Sequence, residues 1–185
     1  ATTGCRKIAI GRDAMAAGVT TGNANIGIGL SALDALTTGI CNVAIGANAL
    51  GASTTGCLNI AIGELALGAC IVTGINNIAI GTVALDALTS GKCNVAIGIH
   101  SMDALTSGVC NIALGEHALG ASTTGSRNIA IGYQTAGACN VTGNENVAIG
   151  FLPLQNLTTG ACNTAIGKSA GRNLTTGCNN TFLGT

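Results

Sequence analysis

Apolar and polar positions recur along the whole chain in one short phrase. Residues 93–98 read Cys-Asn-Val-Ala-Ile-Gly, and close variants stand at 41–46, 110–115 and 162–167. Within the phrase, two β-branched or aliphatic residues lie two apart with alanine between them. In an extended chain such residues share one face and the alanine takes the other, so the phrase predicts a short strand bounded by turn residues. The glycine that closes it falls at Gly11, Gly29, Gly46, Gly63, Gly81, Gly98, Gly115, Gly132, Gly150, Gly167 and Gly184, a near-constant step. A second series, from Gly4 to Gly177, lies seven residues ahead of the first, and Thr or Ser precedes each member. Two fixed glycines per repeat predict two corners where the backbone needs φ > 0 or a side chain would collide.

Eleven copies cover residues 1–185 without a gap, which predicts a single repeat domain. A repeat of roughly 17 residues is too short for a helical hairpin or a propeller blade. It suits one turn of a parallel β-solenoid. Turns stacked at about 4.8 Å make a rod roughly 50 Å long. The expected fold is therefore all-β. A longer period overlies the short one: Cys41 and Cys110, Cys93 and Cys162, and Cys70 and Cys139 each stand four repeats apart. Duplication of a four-repeat block accounts for it. The chain opens in mid-repeat, as a processed or partial chain would.

Stacking converts each repeat position into a column. The Asn positions from Asn25 to Asn180 predict an amide ladder, with Lys7 in its eleventh site. The strand isoleucines, the leucine of pairs such as Ala49-Leu50 and Ala66-Leu67, and the column running from Leu36 through Ser53, Cys70, Leu88 and Cys139 to Leu174 are expected to fill the interior. That leaves Ala44, Ala61, Ala79, Ala96, Ala113, Ala130, Ala148 and Ala165 facing away from it. A uniformly small outer face predicts close approach of another surface, so these alanines are the expected self-association face.

Composition adds limits. Only 8% of residues are charged, the formal net charge is zero, and tryptophan is absent. The interior must be thin and aliphatic. Seven scattered basic residues make no nucleic-acid footprint. No apolar run approaches the length of a membrane span. Disorder does not fit a chain that is 48% hydrophobic.

The segments "NVAIGANAL" and "TTGCLNIAIGELAL" resemble the head repeats of YadA-like trimeric autotransporter adhesins. They are closer still to the "TTGxxNxAIGxxAL" repeats of bacteriophage and large-virus tail fibres. The resemblance spans the whole chain. It implies a left-handed parallel β-roll, a parallel homotrimer or filament with small residues near the threefold contact, and an extracellular role in adhesion or as a shaft. The implied partners are copies of the same chain and a host or surface receptor, with no cofactor. The nine cysteines depart from that pattern.

Seven of those cysteines lie between the two glycine series. Cys41, Cys93, Cys110 and Cys162 directly precede the Asn, while Cys5, Cys57 and Cys178 lie one place earlier. Neighbouring turns bring such residues within disulfide reach. The expected staples are Cys93–Cys110, Cys41–Cys57 and Cys162–Cys178, with Cys5 left to link another chain. Free thiols packed as small hydrophobes are the alternative. Cys70 and Cys139, in the interior column, are expected to be buried thiols.

Catalytic chemistry is not expected. No nucleophile–base–acid set stands out, and no Cys-x-x-Cys occurs. His100 and His117 share a column and are expected to stack at a variable, solvent-facing corner. A pair of imidazoles there would hold a metal only weakly. Ice binding through Thr ladders is the second reading of the chain, but the threonines are adjacent rather than alternate, so only one of each pair can face out.

Overall fold

The structure, a computed structural model, describes residues 4–17 and 21–184. It is a β-solenoid. Eleven three-residue strands, β1 (Ile8–Ile10) through β11 (Thr181–Leu183), stand in one parallel sheet in strict chain order. Each strand is the Ile-Ala-Ile phrase of one repeat, and each contacts only its sequence neighbours. β6 (Val95–Ile97) and β7 (Ile112–Leu114) show the register, with Val95 opposite Ile112, Ala96 opposite Ala113 and Ile97 opposite Leu114. Both predicted glycine series hold their corners. The Thr/Ser series ahead of the second begins at Thr3, which lies outside the described residues.

Backbone bonding between turns continues beyond the strands. His100 N–H donates back to Thr82 O at 3.1 Å, while Met102 N–H and Ala104 N–H donate forward to Ala118 O at 3.0 Å and Gly120 O at 3.1 Å. Every wall of the turn is thus tied to its neighbours, which supplies the backbone partners that a buried, mostly apolar chain must find.

The closing glycines and the Thr-Gly glycines are required for different reasons. Gly98 sits at φ +136, and a methyl on it would lie 2.5 Å from Gly115 O. Gly91 has an ordinary φ, but a methyl there would lie 2.6 Å from both Gly108 O and Leu88 Cδ1. The first corner needs glycine's conformation as well as its size; the second needs only its size.

Three further positions per turn adopt left-handed φ, with ordinary side chains at nearly all of them, for example Cys93 (φ 58), His100 (φ 53) and Met102 (φ 50). Such conformations cost about 1 kcal/mol or more in L-residues, least in Asn. The stacked backbone bonds hold them in place. At Leu58 (φ 59), half exposed, the structure obtains little packing in return. Asn already occupies the same column at Asn76 and Asn179. Leu58→Asn is therefore expected to raise stability by ~0.5–1 kcal/mol, seen as a Tm increase of a few degrees in thermal melts.

The interior reverses one expectation. The mid-strand alanines, from Ala44 to Ala165, are buried at 0–1% exposure. The flanking isoleucines face outward. The eight alanines are therefore core residues of their own chain, and no face is left on them for self-association. The reason is the thinness of the turn. Leucines of the opposite wall, such as Leu50, Leu67, Leu85 and Leu36, already fill the interior at 0% exposure. At Gly27 in β2 (Ile26–Ile28), a methyl would reach within 3.2 Å of Met15 Cε across that interior. A methyl is what the space admits, and an isoleucine fits only outside.

The last strand shows the same constraint from the other side. Phe182 replaces the alanine in β11, and Gly171 replaces the facing leucine. A methyl on Gly171 would meet Phe182 Cδ2 at 2.7 Å, so the ring occupies the space a leucine fills elsewhere.

Two of the turns that are one residue longer than the rest, 64–81 and 133–150, carry the extra residue at the corner before Thr-Gly. There Val72 and Val141 turn inward to 0% exposure, and Ile71 is pushed out to 57%. Cys70 and Cys139, expected to be buried, are consequently only half-buried. The inserted residue shifts the core position onto the valine two places later.

The Asn ladder forms as expected. Asn94 N–H and Nδ2 both donate to Asn77 Oδ1 at 3.1 Å, and Nδ2 also donates to Gly108 O at 2.8 Å. Asn111 repeats the pattern onto Asn94 Oδ1 and Gly125 O. Along the ladder each Asn from Asn42 onward donates its backbone N–H to the Oδ1 of the turn before, and most add an Nδ2 bond to the same oxygen. Those through Asn163 also hold a Gly carbonyl at the Thr/Ser-Gly corner with Nδ2. Among the described residues no buried side-chain N or O lacks a partner.

Candidate functional surface

Because the alanines face in, the two outer positions of each strand make two parallel columns on the outside of the sheet. From β1 to β11 every such position holds Ile, Val or Leu, apart from Thr164 and Thr181. Exposure is substantial even in mid-rod: 37% at Ile45, 40% at Ile97 and 37% at Ile112. The apolar area is on the order of 1,000 Å², beyond the few hundred Å² usual for a monomer's largest patch. No charge interrupts it. One border is the column of Cys41, Cys93, Cys110 and Cys162. The other follows the closing glycines and includes Ile99, 51% exposed, and the stacked rings of Tyr133 and Phe151, whose centroids are 5.3 Å apart.

All nine cysteines are free thiols, so none of the expected staples is closed. Two of the six staple cysteines have another task. Cys57 Sγ accepts Ile40 N–H at 3.4 Å and donates to Thr55 O at 3.3 Å. Cys178 Sγ does the same with Ala161 N–H and Thr176 O. Elsewhere in that column Asn23, Ser126 and Asn144 accept the equivalent N–H, with Cys5 N–H donating to Asn23 Oδ1 at 2.7 Å. Cys57 and Cys178 therefore serve as polar turn residues in the place of Asn or Ser. Cys162 Sγ is drawn to Glu145 Oε2 at 3.5 Å, away from Cys178. The Glu145 carboxylate holds that thiol above its usual range, while Arg127, at 2.8 Å, holds Glu145 below its own. Cys41, Cys93 and Cys110 stand exposed at left-handed corners.

His100 and His117 stack as expected, with centroids 5.0 Å apart, and His100 Nδ1 meets Asp103 Oδ2 at 2.9 Å. In the next turn back, burial pushes the Asp86 carboxyl up, partly offset by the backbone N–H groups of Ala69 and Gly68. Among the described residues no group of three or more His, Cys, Asp or Glu could hold a metal ion. Among the same residues no helix is long and apolar enough to cross a membrane.

The threonines divide as the adjacency argument requires. Thr37, Thr89 and Thr106 turn their hydroxyls onto the carbonyl of the next turn at 3.0 Å. Thr38, Ser90 and Ser107, the second of each pair, are exposed. One hydroxyl column results rather than two.

No family model, no curated protein and no solved structure matches this chain. The class supported by the geometry is thus a β-solenoid repeat protein with one extended apolar face.

Proposed function

We propose that this chain is a structural building block of an extracellular fibre, assembled by packing the isoleucine face of one solenoid against the same face of other copies. The single observation that supports this is the double column on the outside of the sheet, apolar at all but two positions and free of charge throughout. A solvated face of this kind would carry Thr, Lys or Glu at alternate positions. A partner must be as apolar as the face and must match its ~4.8 Å axial repeat, and another copy of the solenoid does both. Three such faces closing around an axis give a homotrimer, as the resemblance to adhesin and tail-fibre repeats implies, but with isoleucines rather than small residues at the contact. A fibre of this kind acts as a shaft or as an adhesive surface, with a host or surface receptor as its partner, and needs no catalytic group.

The test is sedimentation velocity on the intact chain and on an Ile97→Lys/Ile112→Lys double variant. These side chains lie outside the core, so circular dichroism should not change. Burying two unpaired ammonium groups costs several kcal/mol, so association should weaken at least a hundredfold. The expected result is a multiple of 17.9 kDa for the parent chain and a single-chain mass for the variant. A monomeric parent chain would sink the proposal, and thermal hysteresis in that monomer would favour an ice-binding face instead.

A further inference from the structure

Register separates one cysteine pair from all the others. The β6–β7 pairing sets Val95 opposite Ile112, and the isolated parallel bridge between Lys92 and Val109 keeps the same offset ahead of the strands. Cys93 and Cys110 lie between that bridge and the strands, so they stand directly opposite each other in successive turns. Their backbones match, at φ 58 and φ 59, and both side chains are exposed. Cys110 N–H donates to Lys92 O at 3.0 Å, and Cys93 N–H makes the equivalent bond to Ile75 O at 3.1 Å. In-register parallel neighbours have Cα atoms about 4.8 Å apart, inside the disulfide window of about 4.4–6.8 Å. No other described cysteine has a cysteine at its own position in an adjacent turn. Cys41 stands between Ala24 and Leu58, and Cys162 between Glu145 and Asn179. The diagonal partners Cys57 and Cys178 have their sulfurs committed to backbone groups.

We propose that Cys93 and Cys110 form a vicinal dithiol that closes to a disulfide by exchange with a small-molecule disulfide of the glutathione class. One protein thiolate attacks a sulfur of the reagent, forms a mixed disulfide and expels one thiolate. The second cysteine attacks the protein-bound sulfur of that mixed disulfide and expels the other. Two protein thiols are oxidised to one S–S bond, the reagent is reduced to two thiols, and the two protons pass to the departing thiolates. The bond joins the sixth and seventh turns, so β6 and β7 cannot separate when the rod is pulled along its axis. This does not depend on what covers the isoleucine face.

The experiment is a time course of the reduced full chain with oxidised glutathione at low protein concentration, quenched by alkylation and mapped by mass spectrometry. The first species expected has seven alkylated cysteines of the nine, with one linked peptide pair containing Cys93 and Cys110 and lighter by two hydrogens. In Cys110→Ser the reaction should stop at a stable glutathione adduct on Cys93, and in Cys93→Ser at one on Cys110. Stable adducts on both cysteines of the parent chain would overturn the proposal. So would no reaction at either, a Cys93 cross-link between copies, or earlier closure of Cys41–Cys57 or Cys162–Cys178.

Discussion

Asn94→Asp is expected to destabilise the chain by about 3–5 kcal/mol at neutral pH. Asn94 is fully buried. Its Nδ2 donates at 3.1 Å to Asn77 Oδ1 and at 2.8 Å to Gly108 O. A carboxylate oxygen in that place faces two acceptors and has no proton to offer either. Its other oxygen can still accept from Asn111, so half the rung survives and the loss is specific to donation. The pH dependence follows from burial. Desolvation and facing acceptors raise the folded-state pKa of the new carboxyl above its unfolded value of about 3.9. Protonation of that carboxyl restores one donor, so the deficit should be small below about pH 4 and should grow as pH rises towards the folded pKa. Urea unfolding at pH 4 and pH 7, for parent and variant, measures this. Equal losses at both pH values would mean that the amide proton is not what the ladder uses.

The second large effect concerns the thin interior. Ala113→Phe is expected to cost about 3 kcal/mol or more, because the ring must enter a space that the opposite wall already fills. Ala113 is fully buried, and by the repeat its facing residue is Met102, also at 0% exposure. The Phe182–Gly171 pair of the last turn indicates the compensation. Combined with Met102→Gly, Ala113→Phe should recover at least ~1 kcal/mol over the sum of the single changes, and Gly also suits φ 50 at position 102. Chemical denaturation of the four chains of this double-mutant cycle gives the coupling. A coupling near zero would mean that these two walls do not share one space.

Much of the architecture is legible in the sequence because stacking repeats it. The strand phrase, both glycine corners, the Asn ladder and the stacked His100 and His117 all follow from period alone. Which side of the strand turns inward does not. Alternation says that Ile97 and Ala96 point to opposite sides, but the usual rule that the larger apolar residue goes inward selects the wrong one. What decides it is the leucine column of the facing wall, at Leu85 and Leu88, which leaves room for one methyl. Uniform smallness at Ala44 to Ala165 is the available signal, and it reports a narrow interior rather than a contact surface. Cys70 is misplaced for a related reason. Counting from the closing glycine ignores the inserted residue that brings Val72 into the core. The roles of Cys57 and Cys178 are recoverable, since Asn23, Ser126 and Asn144 in the same column mark it as a hydrogen-bonding site.

Each strand touches only the strands before and after it. The molecule is therefore a one-dimensional lattice with nearest-neighbour coupling. Every inter-strand contact closes a loop of a single repeat, whatever the total number of turns, so the entropy of adding a turn is the same anywhere along the rod. Once a few adjacent turns have formed, growth proceeds as a zipper in both directions, and rod length has little influence on its rate. Excising residues 64–132, which is four whole turns, rejoins one closing glycine to the residue that follows another and leaves every remaining register intact. Length in such a protein is a quantity that selection can change by whole turns without redesigning the fold.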